Sequence, residues 1–286
     1  MRIRDIVQLL RVKQYVKNIL VFVPLIFSQK DIPGIYHNLP PTLLAFLSFS
    51  LTSSFVYVIN DLLDAERDKL HPTKRNRPIA SGRIGKKTAI TIAISVFILS
   101  FLLGILLGYR FLATLLAYIV NGFLYSLFFK NHQLFDAFSL SFAYLLRVYA
   151  GAFAINVPVS GYLFLVVFFL SLFLAFGKRR HEILLLGERV EGFKRVLKDY
   201  SVYYLDQLMV ISATLTLTVY TLYVAQSPNK LLRYTIPIVV FGIFRYYHIT
   251  HNLERGEPSE DLLQDRYILL SGLLYAFVVF LSFLIK

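Results

Sequence analysis

The stretch SSFVYVINDLLDAERD, from Ser53 to Asp68, marks the point where a long apolar segment ends in a series of acids. Residues 40–60 contain no Lys, Arg, Asp or Glu, and about 20 apolar residues in a helix suffice to cross a membrane once. The same alternation of long apolar runs and short polar connections recurs along all 286 residues. The sequence therefore predicts an all-α, polytopic membrane protein that forms a single domain over residues 1–286.

The composition excludes a soluble globular protein and several classes of site. Hydrophobic residues make up 57% of the chain and charged residues 16%, against about 25% charged residues in a soluble domain. The absence of cysteine excludes a disulfide framework, a thiol nucleophile and a thiolate metal site. The net charge of +13 lies in loops that flank the membrane, so we expect membrane lipid as a partner and no nucleic acid.

Nine segments have the length and apolarity of a membrane-spanning helix. They cover residues 18–36, 40–60, 88–108, 111–129, 137–156, 159–177, 205–226, 231–249 and 266–285. The first is the weakest, because Pro24, Pro33 and Gly34 interrupt it. Before it, residues 1–17 place apolar side chains at helical intervals between Arg and Lys, which favours a helix in the membrane interface over a solvated tail.

Basic residues lie mostly on one side of these segments. With the N-terminus inside, 23 of the 30 Lys and Arg residues flank the inner ends of the spans and 5 flank the outer ends. Cytoplasmic loops carry such an excess, so we expect a cell-membrane protein with its N-terminus in the cytoplasm and its C-terminus outside. The long, charged inner loops, residues 61–87 and 178–204, are therefore the predicted functional segments, facing the cytoplasm.

The acids of the first inner loop form the strongest candidate site. On a helix that turns about 100° per residue, Asp61, Asp64 and Asp68 fall within roughly 60° of one another, with Asn60 at the edge of that face. Like charges at that spacing repel unless a cation lies among them, and Mg²⁺ prefers carboxylate oxygens. We therefore predict that the three aspartates act in catalysis as Mg²⁺ ligands, with Asn60 as a further ligand. The alternative is a solvated helix end capped by acids.

A basic segment follows the acids directly. The sequence HPTKRNRPIASG, residues 71–82, contains Lys74, Arg75 and Arg77. Guanidinium groups bind phosphate oxygens in a bidentate manner, so these three cations are predicted to bind the phosphates that the metal bridges. Taken alone, such a segment would indicate only the cytoplasmic side of the membrane.

The pattern NDxxDxxxD followed by HPxKRxRPIxxG resembles the first signature of the UbiA superfamily of intramembrane prenyltransferases. The resemblance extends over essentially the whole chain. It implies a UbiA-like bundle of about nine transmembrane helices around a cytoplasm-facing cavity, in which the acids bind Mg²⁺ and a diphosphate.

The second inner loop departs from the prenyl-transferring members of that superfamily. They carry another aspartate cluster there, whereas this chain has GKRRHE at residues 177–182 and no paired aspartates at helical spacing. The loop is similar to that of a phosphoribosyltransferase branch of the superfamily, which implies substrate binding by Lys178, Arg179, Arg180 and Glu182. Further similarities to this branch imply substrate binding by Lys17, Tyr125, Lys130, Asp136 and Arg147.

The resemblance implies a Mg²⁺-dependent transfer of a 5-phosphoribosyl group from phosphoribosyl diphosphate to a polyprenyl phosphate. Pyrophosphate would be released, and the product would serve cell-envelope glycan synthesis. One alternative is a UbiA-type transfer of a prenyl group from a prenyl diphosphate to an aromatic or lipid acceptor, for which a second aspartate cluster would be expected. Another is a transporter, which would carry polar groups at mid-membrane in broken helices. A homo-oligomer is compatible with the sequence.

Several polar residues within the spans have two interpretations. Arg147 lies about three helical turns from Asp136 on nearly the same face, so it either binds a ligand or forms a structural ion pair. Asn121 and Tyr125 either line a cavity or form hydrogen bonds between helices. His132, His248 and His251 are predicted to be interfacial rather than catalytic, because they lack ligand spacing with acids, and His37 is predicted to lie in an outer loop.

Overall fold

The chain is helical throughout the part that the structure describes. The structure is a computed structural model that describes residues 2–28, 32–70, 74–186, 195–252 and 264–284. Its α-helices are α1 (Ile3–Leu9), α2 (Val23–Ser28), α3 (Ile32–Leu63), α4 (Ala65–Lys69), α5 (Lys86–Ile105), α6 (Tyr109–Leu127), α7 (Phe135–Ala154), α8 (Gly161–Leu186), α9 (Val202–Gln226), α10 (Thr235–Asn252) and α11 (Arg266–Leu284). Short 3-10 helices cover Val12–Phe22, Lys74–Asn76, Phe129–Asn131, Arg195–Asp199 and Lys230–Tyr234. These ranges contain no strand, so the predicted all-α class is confirmed.

Seven of the described helices are long and apolar enough to cross a membrane, namely α3, α5, α6, α7, α8, α9 and α11. Each of them contains most of one predicted span, which accounts for seven of the nine, and the chain is a multi-pass membrane protein. The predicted span 231–249 overlaps α10, which has 18 residues and is not among the seven. The total of nine stays a prediction.

The predicted first span, residues 18–36, is wrong as a single helix. Its residues are divided among the 3-10 helix Val12–Phe22, α2 and the start of α3, while residues 29–31 lie outside the described ranges. A 3-10 helix rises about 2.0 Å per residue and has poorer hydrogen-bond geometry than an α-helix. The interruption that Pro24 suggests in the sequence is therefore present as a change of helix type at Val23.

α3 begins earlier than predicted and continues through Pro40 and Pro41. Proline inside a helix removes a backbone donor, but membrane helices tolerate this loss where nearby polar side chains bond to the backbone. Pro40 and Pro41 remove the amide partners of the Tyr36 and His37 carbonyls. The neighbouring carbonyls of Gly34 and Asn38 accept from Asn38 Nδ2 at 3.1 Å and from Thr42 Oγ1 at 2.7 Å. The predicted start of a new span at residue 40 is therefore wrong.

The N-terminal segment turns at Arg11. α1 ends at Leu9 and the 3-10 helix starts at Val12, while Arg11 between them has a left-handed φ of 51°. That conformation costs roughly 1–2 kcal/mol for a residue with a side chain. The Arg11 side chain forms an ion pair with Asp61. The interfacial helix predicted over residues 1–17 is therefore wrong as one continuous helix.

The chain divides into two compact units. Unit 1 comprises Met1–Gln29, Pro33–Phe128 and Leu146–Val159. Unit 2 comprises Lys30–Ile32, Phe129–Leu145 and Ser160–Lys286, so α7 contributes to both. The single domain over residues 1–286 stays a prediction.

In unit 1, the end of α3 packs against α1, α4 and α5 through buried Leu9, Val58, Ala65 and Ala89. α7 approaches the 3-10 helix Val12–Phe22 very closely, because a Cβ atom on Gly151 would lie 1.9 Å from the Val21 carbonyl oxygen. Only glycine allows the two backbones to come this close.

In unit 2, α8, α9 and α10 share a core that includes Phe173, Met209 and Tyr246. Val196 and Leu197, in the 3-10 helix within the second inner loop, are buried in the same core. This packing anchors the C-terminal end of α8, which carries the predicted substrate ligands that follow Gly177.

Candidate active site

The acids of the first inner loop lie where α3 is followed by α4. α3 ends at Leu63, Asp64 has turn angles of φ −94° and ψ 4°, and α4 begins at Ala65. The predicted helix face is therefore interrupted at Asp64, although the Asp68 amide still donates to the Asp64 carbonyl at 2.8 Å. Asp61 and Asp68 are buried, with exposed fractions of 3% and 4%. Buried carboxylates require nearby positive charge.

Two arginines supply that charge. Arg77 Nη1 donates to Asp61 Oδ1 at 2.9 Å and to Asp68 Oδ2 at 2.6 Å. Arg11 forms a second ion pair with the same Asp61 oxygen, and its guanidinium carbon lies 4.9 Å from the centre of the Tyr57 ring. Arg77, a predicted phosphate ligand, thus lies between two of the predicted metal ligands.

The other two predicted metal ligands have different surroundings. Asn60 Oδ1 accepts a hydrogen bond of 2.8 Å from the Ser126 hydroxyl of α6, which fixes the orientation of its amide. The Asp64 carboxylate lies 4.0 Å from Arg67 Nη1 and is one-fifth exposed, so it is more accessible than the other two acids.

The chemistry of the acids suits a hard cation, although the described residues do not assemble a metal cluster. Among them, no group of three or more Asp, Glu or His side chains has the arrangement of a metal site. Asp61 and Asp68 nevertheless direct one oxygen each at the same Arg77 nitrogen. Two carboxylates that converge on one positive centre are the kind of donor that Mg²⁺ prefers.

A further arginine, not identified from the sequence, connects α1 to the basic segment. Arg83 donates to Asp5 Oδ1 at 2.7 Å, to Gln8 Oε1 at 3.0 Å and to the Asn76 carbonyl at 2.5 Å. The first two partners are 78 and 75 positions away, so no local pattern indicates them. The predicted phosphate ligands Lys74 and Arg75, in the 3-10 helix that includes Asn76, are exposed.

Arg147 is buried among polar and aromatic side chains of unit 1. Its Nε donates to Asn18 Oδ1 at 2.8 Å and its Nη2 donates to the Tyr118 hydroxyl at 3.1 Å. The guanidinium carbon also lies 5.4 Å from the centre of the Phe49 ring, within the range of a cation–π contact. Asp136 is 11 positions away on α7, about 16 Å along a helix. The structural ion pair between Arg147 and Asp136 is therefore not formed.

Asp136 instead belongs to a buried network in unit 2. Arg179 Nε donates to Asp136 Oδ2, and Arg179 Nη1 donates to Glu182 Oε2 at 2.6 Å. The Tyr200 hydroxyl donates to Asp136 Oδ1 at 2.9 Å and accepts from the Leu134 amide at 2.8 Å. Three predicted substrate ligands thus contact one another, and Tyr200 joins them from 64 positions away.

Tyr200 lies before α9, outside the membrane-spanning helices. Burial raises the pKa of its phenol above the ordinary value, and the neighbouring Asp136 carboxylate raises that pKa further. The hydroxyl therefore keeps its proton at neutral pH and acts as the donor to Asp136.

The remaining predicted substrate ligands lie on four elements. Arg180 donates to Asp206 Oδ1 at 2.7 Å. Four others are half-buried, and each lies in a helical element: Lys17, Tyr125, Lys130 and Lys178. Residues 71–73 of the first inner loop and residues 187–194 of the second lie outside the described ranges.

Comparisons with known proteins cover nearly the whole chain. A sequence model of the UbiA prenyltransferase family matches residues 21–269. The decaprenyl-phosphate phosphoribosyltransferase of Mycobacterium tuberculosis strain H37Rv is 31% identical to this chain, over 95% of this chain and 91% of that protein. The decaprenyl-phosphate phosphoribosyltransferase of Corynebacterium glutamicum is 30% identical to this chain, over 96% of this chain and 86% of that protein. A UbiA homolog from Archaeoglobus fulgidus, solved with GPP and Mg²⁺, shares the fold with a TM-score of 0.76 and 19% identity, over 98% of this chain and 100% of that one. The chain therefore belongs to the UbiA prenyltransferase family.

Proposed function

We propose that this protein transfers a 5-phosphoribosyl group from phosphoribosyl diphosphate to a polyprenyl phosphate. The observation that carries the proposal is the identity of 30–31% to proteins named decaprenyl-phosphate phosphoribosyltransferase, which extends over nearly the whole chain. The second inner loop supports it. Residues 177–186 contain Glu182 as their single acid, and Arg179 binds that acid, so this segment offers cations rather than an aspartate pair.

The reaction exchanges one bond at the anomeric carbon of ribose. A phosphate oxygen of the lipid forms a bond to that carbon, and the bond from the carbon to the diphosphate oxygen breaks, so pyrophosphate leaves with the electron pair. A phosphate monoester is already an anion at neutral pH, so no side chain has to remove a proton. The protein must mainly orient the two phosphorylated substrates and stabilise the charge of the leaving group.

Asp61, Asp64 and Asp68, with Asn60, are the residues that would hold Mg²⁺. When bound, Mg²⁺ supplies positive charge against the developing charge of the diphosphate. Arg77 contacts two of these acids with one nitrogen, and its other N–H groups are suited to bind phosphate oxygens beside them. The exposed Lys74 and Arg75 extend this positive charge along the basic segment.

The predicted ligands of the second inner loop divide into two roles. Arg179 pairs with Glu182 and with Asp136 of α7 in a closed network, which suits positioning of the loop rather than contact with a substrate. Lys178 and Arg180 are the residues of this loop that we assign to phosphate binding. Lys17, Tyr125, Lys130 and Arg147 stay proposed substrate ligands.

We place the reaction at the cytoplasmic face of the cell membrane, with the N-terminus inside and the C-terminus outside. The excess of Lys and Arg in the inner segments supports this orientation. Both substrates fit it, because phosphoribosyl diphosphate is water-soluble and the polyprenyl tail needs lipid. The product, polyprenylphosphoryl-5-phosphoribose, would serve the synthesis of cell-envelope glycans.

The second candidate function is prenyl transfer. The observation that favours it is the shared fold with a UbiA homolog that was solved with GPP and Mg²⁺. Purified protein with Mg²⁺ would be offered radiolabelled phosphoribosyl diphosphate with polyprenyl phosphate, and in parallel prenyl diphosphate with aromatic acceptors. We expect label to enter the lipid only from the first pair. Label transferred only in the second assay would contradict the proposal and establish prenyl transfer.

A matched pair of variants tests the role of the acids. Asp64→Asn should abolish most of the transfer, because a metal ligand is lost. Glu66→Gln changes an exposed acid two positions away, which pairs with Lys69 at 2.6 Å, and should leave the rate unchanged. Equal loss in both variants would show that the general acidity of the loop matters rather than the metal ligand.

A further inference from the structure

Arg180 is fixed by three helices of unit 2. The residue lies near the C-terminal end of α8, where its Nε donates to Asp206 Oδ1 of α9 at 2.7 Å. Its Nη1 donates to the Thr250 carbonyl of α10, also at 2.7 Å. The residue is 8% exposed. Within the described ranges, these contacts use two of the five N–H donors of the guanidinium, so the others are available to a ligand.

The same carboxylate oxygen of Asp206 also contacts His251. The Nε2 atom of this histidine lies 3.0 Å from Asp206 Oδ1, and its Nδ1 atom lies 2.9 Å from the Tyr247 carbonyl oxygen. A carboxylate and a carbonyl can only accept hydrogen bonds. The Thr250 hydroxyl, 3.2 Å from Nδ1, donates to that same carbonyl. An imidazole that donates at both contacts carries a proton on each nitrogen and is a cation, whereas a neutral imidazole can donate at only one of them.

Among the described residues, the charges of this cluster do not balance. Arg180 and protonated His251 bring two positive charges, and Asp206 brings one negative charge. Tyr247, whose ring stacks on His251 with centroids 3.9 Å apart, adds no charge as a neutral phenol. His248, one turn earlier on α10, bonds instead to the Asn252 amide at 2.8 Å. The cluster therefore carries one excess positive charge when His251 is protonated and none when it is neutral.

We propose that Asp206 and His251 are positioning residues that hold Arg180, with this excess charge, for a phosphate monoester. The inference rests on the proposed function, in which the lipid acceptor and the ribose 5-position each carry such a group. Attraction between the cluster and a phosphate falls when the net charge of the cluster falls to zero. Affinity should therefore be weaker when the His251 imidazole is neutral than when it is a cation.

Equilibrium binding to the full-length protein in detergent tests this inference without relying on turnover. The probes are phosphoribosyl diphosphate and a short-chain polyprenyl phosphate, each measured at pH 6.5 and pH 8.5. For wild type we expect the Kd of one probe to rise about fivefold to tenfold between these pH values, as expected for the loss of one nearby charge. The probe that responds identifies the source of the phosphate group.

Two variants of α10 separate the cluster from general effects of pH. His251→Gln keeps a donor toward Asp206 but does not titrate, so it should bind the responsive probe weakly at both pH values. His248→Gln is the control, because it changes a histidine on the same helix that bonds outside the cluster, and it should follow wild type. Titration of the probes' own phosphates is common to all three proteins and cancels in the comparison.

Asp206→Asn provides a second test, because it removes the carboxylate that positions Arg180 without lowering the positive charge of the cluster. We expect binding of the same probe to weaken, and stronger binding would show that charge alone attracts the phosphate, without positioning by Asp206. In transfer assays, His251→Gln should raise KM for that substrate at pH 6.5 and leave kcat unchanged. If His251→Gln binds both probes as wild type does at both pH values, the inference is overturned. If wild type binds with the expected pH dependence but transfers no phosphoribosyl group, the proposed function fails and the inference stands.

Discussion

The ionic cluster after the end of α3 and the ionic cluster near the end of α8 differ in how far their side chains are exposed to solvent. In unit 1, Asp61 and Asp68 are buried, but the arginines that pair with them, Arg11 and Arg77, are 22% and 23% exposed. In unit 2, Arg179 and Asp136 are 1% and 0% exposed. A partly exposed guanidinium can exchange its carboxylate for a ligand, whereas an enclosed one cannot lose its partner without leaving a buried charge unpaired. The difference separates a cluster suited to binding from one suited to holding helices in place.

The largest effect should come from opening the closed cluster. Arg179→Met leaves the Asp136 carboxylate buried without its cation, so we expect the free energy of unfolding in detergent to fall by about 3–5 kcal/mol. Arg75→Met, at an exposed arginine, should change it by less than about 0.5 kcal/mol. Comparable stability of the two variants would show that the cluster of unit 2 is not structural.

The next effect tests whether unit 1 is closely packed in a region that does not contain its acids. Gly151→Ala places a methyl group where the Val21 carbonyl oxygen would be 1.9 Å away, so the backbones must separate. We expect destabilisation near the upper end of the roughly 1–3 kcal/mol range for overpacking, measured by thermal unfolding. Gly272→Ala is the control, since a Cβ atom there meets no atom within 4 Å. Equal stability of these variants would mean that unit 1 is loosely packed there as well.

A smaller effect is expected from opening the exposed cluster. Arg77→Gln removes the cation between Asp61 and Asp68, and partial exposure limits the expected destabilisation to about 1–2 kcal/mol. Added MgCl₂ should restore part of this loss, because an ion that binds the folded state stabilises it. Arg179→Met should show no such recovery. Recovery in both variants, or in neither, would remove the proposed distinction between the clusters.

The smallest effect concerns the pH dependence of the closed cluster. Because the pKa of Tyr200 is raised in the folded state, its stabilising contribution is present at neutral pH and is lost as pH rises above the value of about 10 that tyrosine has in an unfolded chain. Above pH 10, the free energy of unfolding of wild type should fall more steeply with pH than that of Tyr200→Phe. The two slopes should differ by less than about 1.4 kcal/mol per pH unit. Parallel denaturation curves for the two proteins would exclude a contribution from this phenol.

The sequence predicts those features of the fold that depend on short-range patterns. Apolar runs of about 20 residues indicate seven helices that the structure contains, because the length of a membrane crossing is set by the bilayer. The acids and cations of residues 60–77 are also recognisable, since they are close along the chain. The turn at Arg11 is not recognisable in the sequence, because Asp61, with which Arg11 pairs, is 50 positions away.

Contacts between residues that are distant in sequence also explain which residues of the candidate sites were not identified from the sequence. Tyr200 and Asp206 are ordinary residues in the sequence, and their contacts with Asp136 and His251 span 64 and 45 positions. The sequence also suggests similar roles for Arg179 and Arg180, which are adjacent. The structure distinguishes them, because Arg179 is enclosed by two carboxylates while Arg180 shares one carboxylate with a histidine.

By itself, the sequence determined the helical membrane architecture and the chemical types of the two inner loops. These properties follow from hydrophobicity, charge and residue spacing, which act locally along the chain. Only the tertiary structure decided which cations pair with which acids, and which of these pairs are closed. Pairing depends on helices that are distant in sequence and packed together in space, and the strength of each ionic contact depends on how far that packing excludes water.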